Sequence, residues 1–482
     1  MRVKAENFGP ILNADVEIVP FTILIGRNNI GKSFLAQLIH VALELSRGRF
    51  HPFMRRVFFD ESTVAFYPGA IGLDVASAKR LRKLIEEQQL TTEEIIDHAV
   101  DVWVDRAHQY LNRALSTLLE QIFATDLSEL VNLRSSEARI EFELSPSCTL
   151  RSVIPKGKEL HVEIAVNKKR VVADVHKQVP SLIAEWKESR VQSARSEESD
   201  IMLMEELFLL LQKSLLPSTV FFPRRAPTSA YYIPAGRAGL LEGYNTITSA
   251  FYALSPIAPI RGLEMPPLSG TGANFYEMLI LRLRGKEGPL KDTAESFKTV
   301  LGGDVTLEPR GEPRQTTRMI YKFKLGDRES SVDIIHAASM VKELGPLYLI
   351  VKELVHPGDY LIIEEPESHL HPWAQCKLVE IFAQLVHRQV NLVITTHSDL
   401  FLRKVAHLVG MSRVEGTNAS TSLARKHVAI YLLKEDDGGS VSQRLEIPIH
   451  GALESLPTYD EIIKELYEEE VFLQTKLQGE KS

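Results

Sequence analysis

Short apolar runs open the chain. Val3 to Phe8, Ala14 to Val19 and Phe21 to Ile25 read as strands, with Gly9-Pro10 as a turn. Residues 33–46 then repeat apolar positions at helical spacing, so the opening is strand, Gly-rich loop, helix. Residues 76–125 read as two or three helices, one of them begun by Thr91-Thr92-Glu93-Glu94 with an N-cap residue and early acids. Between 137 and 175 the period changes to two, and ARIEFEL, HVEIAV and RVVADV read as antiparallel strands. Residues 180–216 return to helical spacing, with a polar loop or exposed helix end at Ser193 to Asp200.

A Pro- and Gly-rich stretch, 217–272, precedes helices near Asn274–Leu283 and Leu290–Leu301 and strands near Thr306 and Arg318–Leu325. From Ser331 onward helix and strand alternate. Ile334–Val355 and Trp373–Arg388 read as helices. Asp359–Ile363 and Asn391–Thr395 are short apolar strands of the kind buried on both faces. Strands near Val428–Leu433 and Val441–Ile447 precede an acidic helix from Tyr459 to about Leu477. The alternation predicts an α/β fold with a mostly parallel sheet, plus an antiparallel β-subdomain and a helical and β insertion.

Composition narrows the class. The 44% apolar and 25% charged fractions are those of an ordinary globular chain, and 56 Lys+Arg against 63 Asp+Glu leave a net charge of −7. That balance gives no global basic footprint for nucleic acid. Local clusters stand at Arg55-Arg56, Lys168-Lys169-Arg170, Arg224-Arg225 and Arg425-Lys426. Two cysteines, Cys148 and Cys376, make neither a disulfide framework nor a thiolate metal site. No apolar run reaches the roughly 18–20 residues of a membrane span, and the N-terminus lacks a signal core. A cytoplasmic protein with no membrane partner is the expectation.

Three stretches carry chemistry. Gly26-Arg27-Asn28-Asn29-Ile30-Gly31-Lys32-Ser33 fits G-x-x-x-x-G-K-[ST] between an apolar strand and an amphipathic helix. Glycines let backbone N–H groups face phosphates, the helix N-terminus adds positive potential, Lys32 can reach the β- and γ-phosphates, and Ser33 can ligate Mg²⁺. ATP and Mg²⁺ are therefore the expected cofactors. The second stretch, Asp359 to Pro366, is an apolar strand ending in two acids, where α/β sheets bind ligands. Neighbours on a strand face opposite sides, so Glu364 is assigned to Mg²⁺, directly or through water, and Glu365 to orienting or deprotonating the attacking water. The third, Asn391 to Ser398, ends in His397, which can reach a γ-phosphate or the water, or serve as a structural polar contact.

Taken in this order, the phosphate loop, LIIEEPESHLHP and NLVITTHSDL resemble the head of an ABC-class ATPase. The branch is that of the SMC and RecF proteins and of the overcoming-lysogenization-defect (OLD) nucleases. FGPILNADVEIVPFTILIGRNNIGKS is similar to their opening, and YYIPAGRAGLLEG resembles a segment of single-chain OLD-like ATPases. The resemblance implies two heads sandwiching ATP between one head's phosphate loop and the other's signature helix. The signature position falls on Ala337 to Leu344, where Ser339 remains available for a contact in trans while Met340 replaces a Gly. The dimer-contact position falls on His371. Arg237, in the Pro- and Gly-rich loop, is a candidate γ-phosphate or interface arginine, with a solvated surface arginine the alternative.

The expected organisation is 1–50 as the first half of the head, 51–218 as insertion and 219–330 as linker with added strands and helices. Residues 331–435 are then the second half, and 436–482 a hairpin and acidic helix. No run of three or four unbroken heptads supports a long coiled-coil arm. The roughly 85 residues after His397 are too few for the Toprim nuclease of OLD relatives, and Asp436-Asp437 reads as a hairpin turn. The resemblance implies an ATP-hydrolysing switch that pairs with itself, as a homodimer or higher oligomer. It would act in DNA maintenance or anti-phage defence through a separate effector, a nuclease or a toxin, with DNA met directly or through that partner. An ATP-gated scaffold with little hydrolysis and an ABC transporter ATPase subunit are the alternatives.

Overall fold

The computed structural model describes residues 1–47, 91–192, 229–243, 270–310, 316–414, 421–447 and 464–473, with 83, 85, 203, 206, 207, 210, 211, 214 and 215 singly. Apart from two of those single residues, the expected helix Ser77–Gln89 lies outside them, as do Arg55-Arg56, Ser193–Asp200 and Arg224-Arg225. So do most of the Pro- and Gly-rich stretch and the two ends of the acidic helix, of which 464–473 is helical and exposed.

The first half runs β1 (Arg2–Phe8), β2 (Ile11–Glu17), β3 (Phe21–Ile25), α1 (Lys32–Arg47), α2 (Thr92–Phe123), β4 (Glu137–Ser145), β5 (Cys148–Pro155), β6 (His161–Val166), α3 (Lys168–Val175) and α4 (Val179–Gln192). The second half runs β7 (Ala230–Ile233), α5 (Gly270–Glu277), β8 (Gly303–Arg310), β9 (Thr316–Leu325), β10 (Arg328–Asp333), α6 (Ser339–Glu353), β11 (Tyr360–Glu364), α7 (Pro372–His387), β12 (Asn391–Thr396), α8 (Asp399–Met411), β13 (Val428–Asp436) and β14 (Gly439–Leu445).

The chain divides into two compact units. One comprises Met1–Ile18, Gln37–Ala230 and Asp436–Val441. Its strands lie in the order β6-β5-β4-β1-β2, all antiparallel. Burial alternates along β4 and β5, the sign of one packed and one wet face. On the wet face Lys4 Nζ sits 2.7 Å from Glu141, which also accepts from Arg151 at 2.8 Å. Helix α2 is the helix expected to open at Thr91, and it runs unbroken to Phe123. Its start is the expected capping box, with Glu94 N–H donating to Thr91 Oγ1 and Thr91 N–H to Glu94 Oε2.

One expectation in this unit fails. RVVADV is not a strand but the body of α3. Asn167 caps that helix by accepting from Arg170 N–H, and Val171 and Val175, four apart, are its buried residues. An apolar pair at that spacing suits a helix, and the cap decides between the two periods. Asp437-Gly438 forms the expected turn, with Gly438 at φ 94°.

The other unit comprises Val19–Ala36, Tyr231–Glu435 and Ser442–Ser482. Its main sheet is parallel, in the order β13-β3-β12-β11, with β7 beyond β11. FTILI is buried at every position, and β11 and β12 at all but their first, which explains their unbroken apolar runs. Helices α6, α7 and α8 cover the sheet through residues such as Leu347, Phe382 and Phe401, all fully buried. A separate antiparallel sheet has the order β10-β9-β8; β10 and α8 are elements the sequence reading does not contain. The expected helix from Ile334 splits into a 3₁₀ turn, Ile334–His336, and α6. The α/β class holds: a large parallel sheet with antiparallel strands besides. Among the described residues no helix is long and apolar enough to cross a membrane.

Candidate nucleotide site

Strand register builds the site. Ile25, the last residue of β3, lies opposite Thr396 on β12 and Leu432 on β13, while Thr395 lies opposite Glu364 on β11. Parallel strands end at one edge. The loop after β3, the acids after β11 and the histidine after β12 therefore emerge together, where α/β sheets take ligands.

The loop is compact and open to solvent. Gly26 is buried, and a Cβ there would stand 2.7 Å from the backbone oxygen of Leu433. Arg27, Asn28 and Asn29 are exposed, with Asn29 at φ 62° and Gly31 at φ 91°. Ile30 is partly exposed. Helix α1 starts at Lys32, so its first N–H groups lack intrahelical acceptors and Ser33 stands exposed beside them. Lys32 is 6% exposed, and its Nζ donates to Gly26 O at 2.8 Å and Arg27 O at 2.7 Å. Burial pulls its ammonium below the ordinary lysine value, against the opposing pull of Glu365 and Glu367.

Those two carboxylates, with His397, form the other wall. Glu365 is at φ 41°, its N–H held by Thr395 O at 2.9 Å. A non-glycine residue in this region is strained, and such strain gathers at working sites. His397 Nδ1 is 3.7 Å from Glu365 Oε1 and 3.7 Å from Glu367 Oε1. His397 holds the Glu365 carboxyl below the usual carboxylate range, and Glu365 raises the imidazole in return.

Glu367 is absent from the sequence reading. It is nearly buried, and its Oε1 accepts from the Thr396 hydroxyl and, at 3.0 Å, from His397 N–H. Its Oε2 is buried with no hydrogen-bond partner among the described residues. Its signal was a third acid two residues beyond the pair, in EEPES. A cleft of about 400 Å³ opens beside it, lined by Glu367, Ser368, His369, Gln375, His397 and Ser398.

Glu364 faces elsewhere. Its carboxylate accepts from the Tyr232 hydroxyl and, at 3.0 Å, from Ala235 N–H. Tyr232 is fully buried, and its hydroxyl is held well above the ordinary phenol value by burial and then by Glu364. Both Glu364 carboxylate oxygens are thus engaged by β7 and the residues just after it. Arg237 is not the γ-phosphate or interface arginine expected, nor a solvated one: it is 0% exposed, with Nε 2.8 Å from Glu343 Oε2. A side chain closed off from solvent has no reach to a second copy.

Ser339 is exposed at the first position of α6, and Met340 packs against the core. His371 is exposed and caps α7, its Nδ1 accepting from Trp373 N–H at 3.3 Å. Of the basic clusters, Lys168 pairs with Asp101 at 2.6 Å and Arg425 with Glu446 at 2.7 Å.

The residues fit a magnesium nucleotide. The loop is a cradle whose first residue has no room for a Cβ, and an unsatisfied carboxylate oxygen lies across from its lysine. Among the described residues no group of three or more His, Cys, Asp or Glu side chains is placed to hold a metal. Magnesium needs none, since it binds through one or two protein groups together with phosphates.

Residues 341–403 match the family described as "AAA domain, putative AbiEii toxin, Type IV TA system". That stretch holds Glu364, Glu365, Glu367, His371 and His397 but neither the phosphate loop nor Arg237. No curated protein matches the chain significantly. Similar solved structures include an SMC head bound to the C-winged helix domain of ScpA (10% identity, 92% of this chain and 97% of that one, TM-score 0.39). Another is an Smc head with an extended coiled coil bound to the C-terminal domain of ScpA, from Pyrococcus furiosus (11%, 97% and 98%, TM-score 0.36). A third is the SMC head of Thermotoga maritima (10%, 92% and 98%, TM-score 0.35).

Proposed function

We propose that this chain binds ATP with Mg²⁺ on the Gly26–Ser33 loop, hydrolyses it, and works as an ATP-dimerised switch on a separate effector. The observation that carries the reading is the convergence of Lys32, Glu365, Glu367 and His397 at one sheet edge.

Bound magnesium supplies charge to the phosphate oxygens. Ser33, exposed at the start of α1, would hold it, with Glu364 contributing through water because its carboxylate is taken by Tyr232 and Ala235. The ammonium of Lys32, already aimed into the loop, exchanges its carbonyl partners for phosphate oxygens. Glu365 stays ionised and accepts a hydrogen bond from the attacking water. Its lowered proton affinity makes it an orienting group more than a strong base. His397, with its raised pKa, donates to the developing phosphate charge.

Exposed Ser339 and His371 support pairing of two heads, the first meeting nucleotide in trans and the second bridging copies. The matched family's description names a putative toxin and a Type IV TA system, which supports work in a system of more than one component; a separate effector, in anti-phage defence or DNA maintenance, completes the reading. Membership of the OLD-like branch and a cytoplasmic setting belong to the same reading. Met340, packed inward where a Gly would let a backbone approach, favours the second reading, an ATP-gated scaffold with little turnover.

Phosphate release and light scattering, run on the wild type and on Glu365→Gln, test both readings. Turnover in the wild type and an ATP-trapped, inactive dimer in the variant are expected. Undiminished release by the variant overturns the role of Glu365. An ATP-dependent dimer without wild-type turnover selects the scaffold.

A further inference from the structure

The guanidinium of Arg237 ties together three pieces of chain. Its Nη1 donates to Glu364 O at 2.7 Å and to Pro234 O at 2.9 Å, and its Nη2 to Glu365 O at 3.2 Å. Its Nε donates to Glu343 O at 3.1 Å and lies 2.8 Å from that residue's Oε2. Glu343 is itself 0% exposed, and its Oε1 accepts from Ala238 N–H at 3.2 Å.

A buried ion pair is a costly way to fill space, and apolar residues of similar size often replace one without loss. What apolar residues do not supply is a planar fork that meets several carbonyls at once. Here the fork lands on the two peptides that end β11. One belongs to Glu365, whose left-handed backbone persists only if its surroundings impose it. Thr395 O holds the residue at its N–H, and Arg237 holds it at its carbonyl. Glu343 lies one turn along α6 from Ser339, so a displacement of the first turn of α6 carries the counter-ion with it.

We propose that Arg237 is a positioning residue for the proposed hydrolysis: it fixes the backbone of Glu365 by holding its carbonyl, and Glu343 makes that hold depend on the place of α6. Arg237 touches no nucleotide, since it is closed to solvent. The inference rests on the role given to Glu365 above, so its test includes a readout without turnover.

Two variants separate positioning from mere packing. Arg237→Met/Glu343→Leu removes both members of the buried pair together, so that neither is left without the other, while the Glu364 and Glu367 carboxylates lose a nearby cation. Arg237→Lys keeps the charge for Glu343 and loses the fork. Hydrogen exchange followed by mass spectrometry reads the 360–371 segment in the nucleotide-free protein. Exchange there should quicken at least about tenfold in whichever variant keeps its unfolding midpoint, with the rest of the chain unchanged. In the same samples kcat should fall about 10- to 100-fold while KM stays within about threefold, because a group misplaced by an ångström loses rate before binding. Wild-type exchange in the 360–371 segment of a folded variant overturns the proposal, and so does faster exchange with undiminished kcat. If the wild type releases no phosphate, the hydrolysis reading fails alone, and exchange still decides whether Arg237 holds Glu365.

Discussion

His397 and Glu365 face each other with 3.7 Å between Nδ1 and Oε1, and each shifts the other's proton affinity. Glu365, depressed below its ordinary value of 4.5, adds stability that is present above that value and is lost as pH falls through the folded one. His397, raised above 6.5, adds stability that is present below 6.5 and is lost as pH rises through its folded value. The pair therefore contributes most between 4.5 and 6.5. Both groups are partly exposed, so its worth is about 1 kcal/mol or less. His397→Gln should flatten the pH dependence of the unfolding midpoint on both flanks of that window. An unchanged dependence would show that the pair does not form in solution.

Glu365→Gln keeps the shape of the side chain and removes its charge. Phosphate release should fall about 10²- to 10⁴-fold, the range for a positioned acid–base group. Nucleotide affinity, measured by calorimetry, should change by less than about threefold, because the residue acts on water and not on the ground-state nucleotide.

Lys32→Met tests the loop's cation. A charge-assisted contact with phosphate is worth about 1.5–3 kcal/mol, so ATP affinity should drop about 10- to 100-fold. Without nucleotide the unfolding midpoint should move by no more than about 4 °C. The ammonium's burial, which lowers its pKa, offsets much of what its two carbonyl contacts contribute. Unaltered affinity would remove Lys32 from the phosphate site.

Gly26→Ala places a methyl 2.7 Å from Leu433 O and 3.1 Å from Ile30 Cγ2. A backbone oxygen in a core strand does not give way, so the expected cost is about 1–3 kcal/mol by chemical denaturation, with loss of nucleotide binding. A variant as stable as the wild type would mean that β13 sits further from the loop than described.

Tyr232→Phe removes the hydroxyl that Glu364 accepts from and strands a buried carboxylate oxygen. The expected loss is about 1–3 kcal/mol of stability, read from the denaturation midpoint at constant slope. An undiminished midpoint would mean that water replaces the hydroxyl.

Much of this architecture is legible in the chain because its strongest signals are local. FTILI, DYLII and NLVIT announce two-sided burial through unbroken apolar runs, and the loop after FTILI is set by its glycines. The RVVADV segment misleads because Val171 and Val175 suit two periods and only the cap at Asn167 separates them. Arg237 escapes for a different reason. An arginine in a Pro- and Gly-rich loop looks exposed until Glu343, far along the sequence, provides its counter-ion. Glu367 goes unassigned because its partners, Thr396 and His397, follow another strand. Local pattern carries burial and backbone shape, and side-chain partnership across strands is what it lacks.

The position of β3 has a consequence for how the protein is made. Phe21 pairs with Leu392 on one side and with Val428 on the other. At roughly 5–20 residues per second, the ribosome exposes β3 on the order of 20–70 seconds before either neighbour exists. During that interval a strand apolar on both faces has no sheet to join, and such runs are aggregation hazards when unpaired. Nascent chains of this protein therefore have most to gain from a chaperone holding the first thirty or so residues until the last parallel strands emerge.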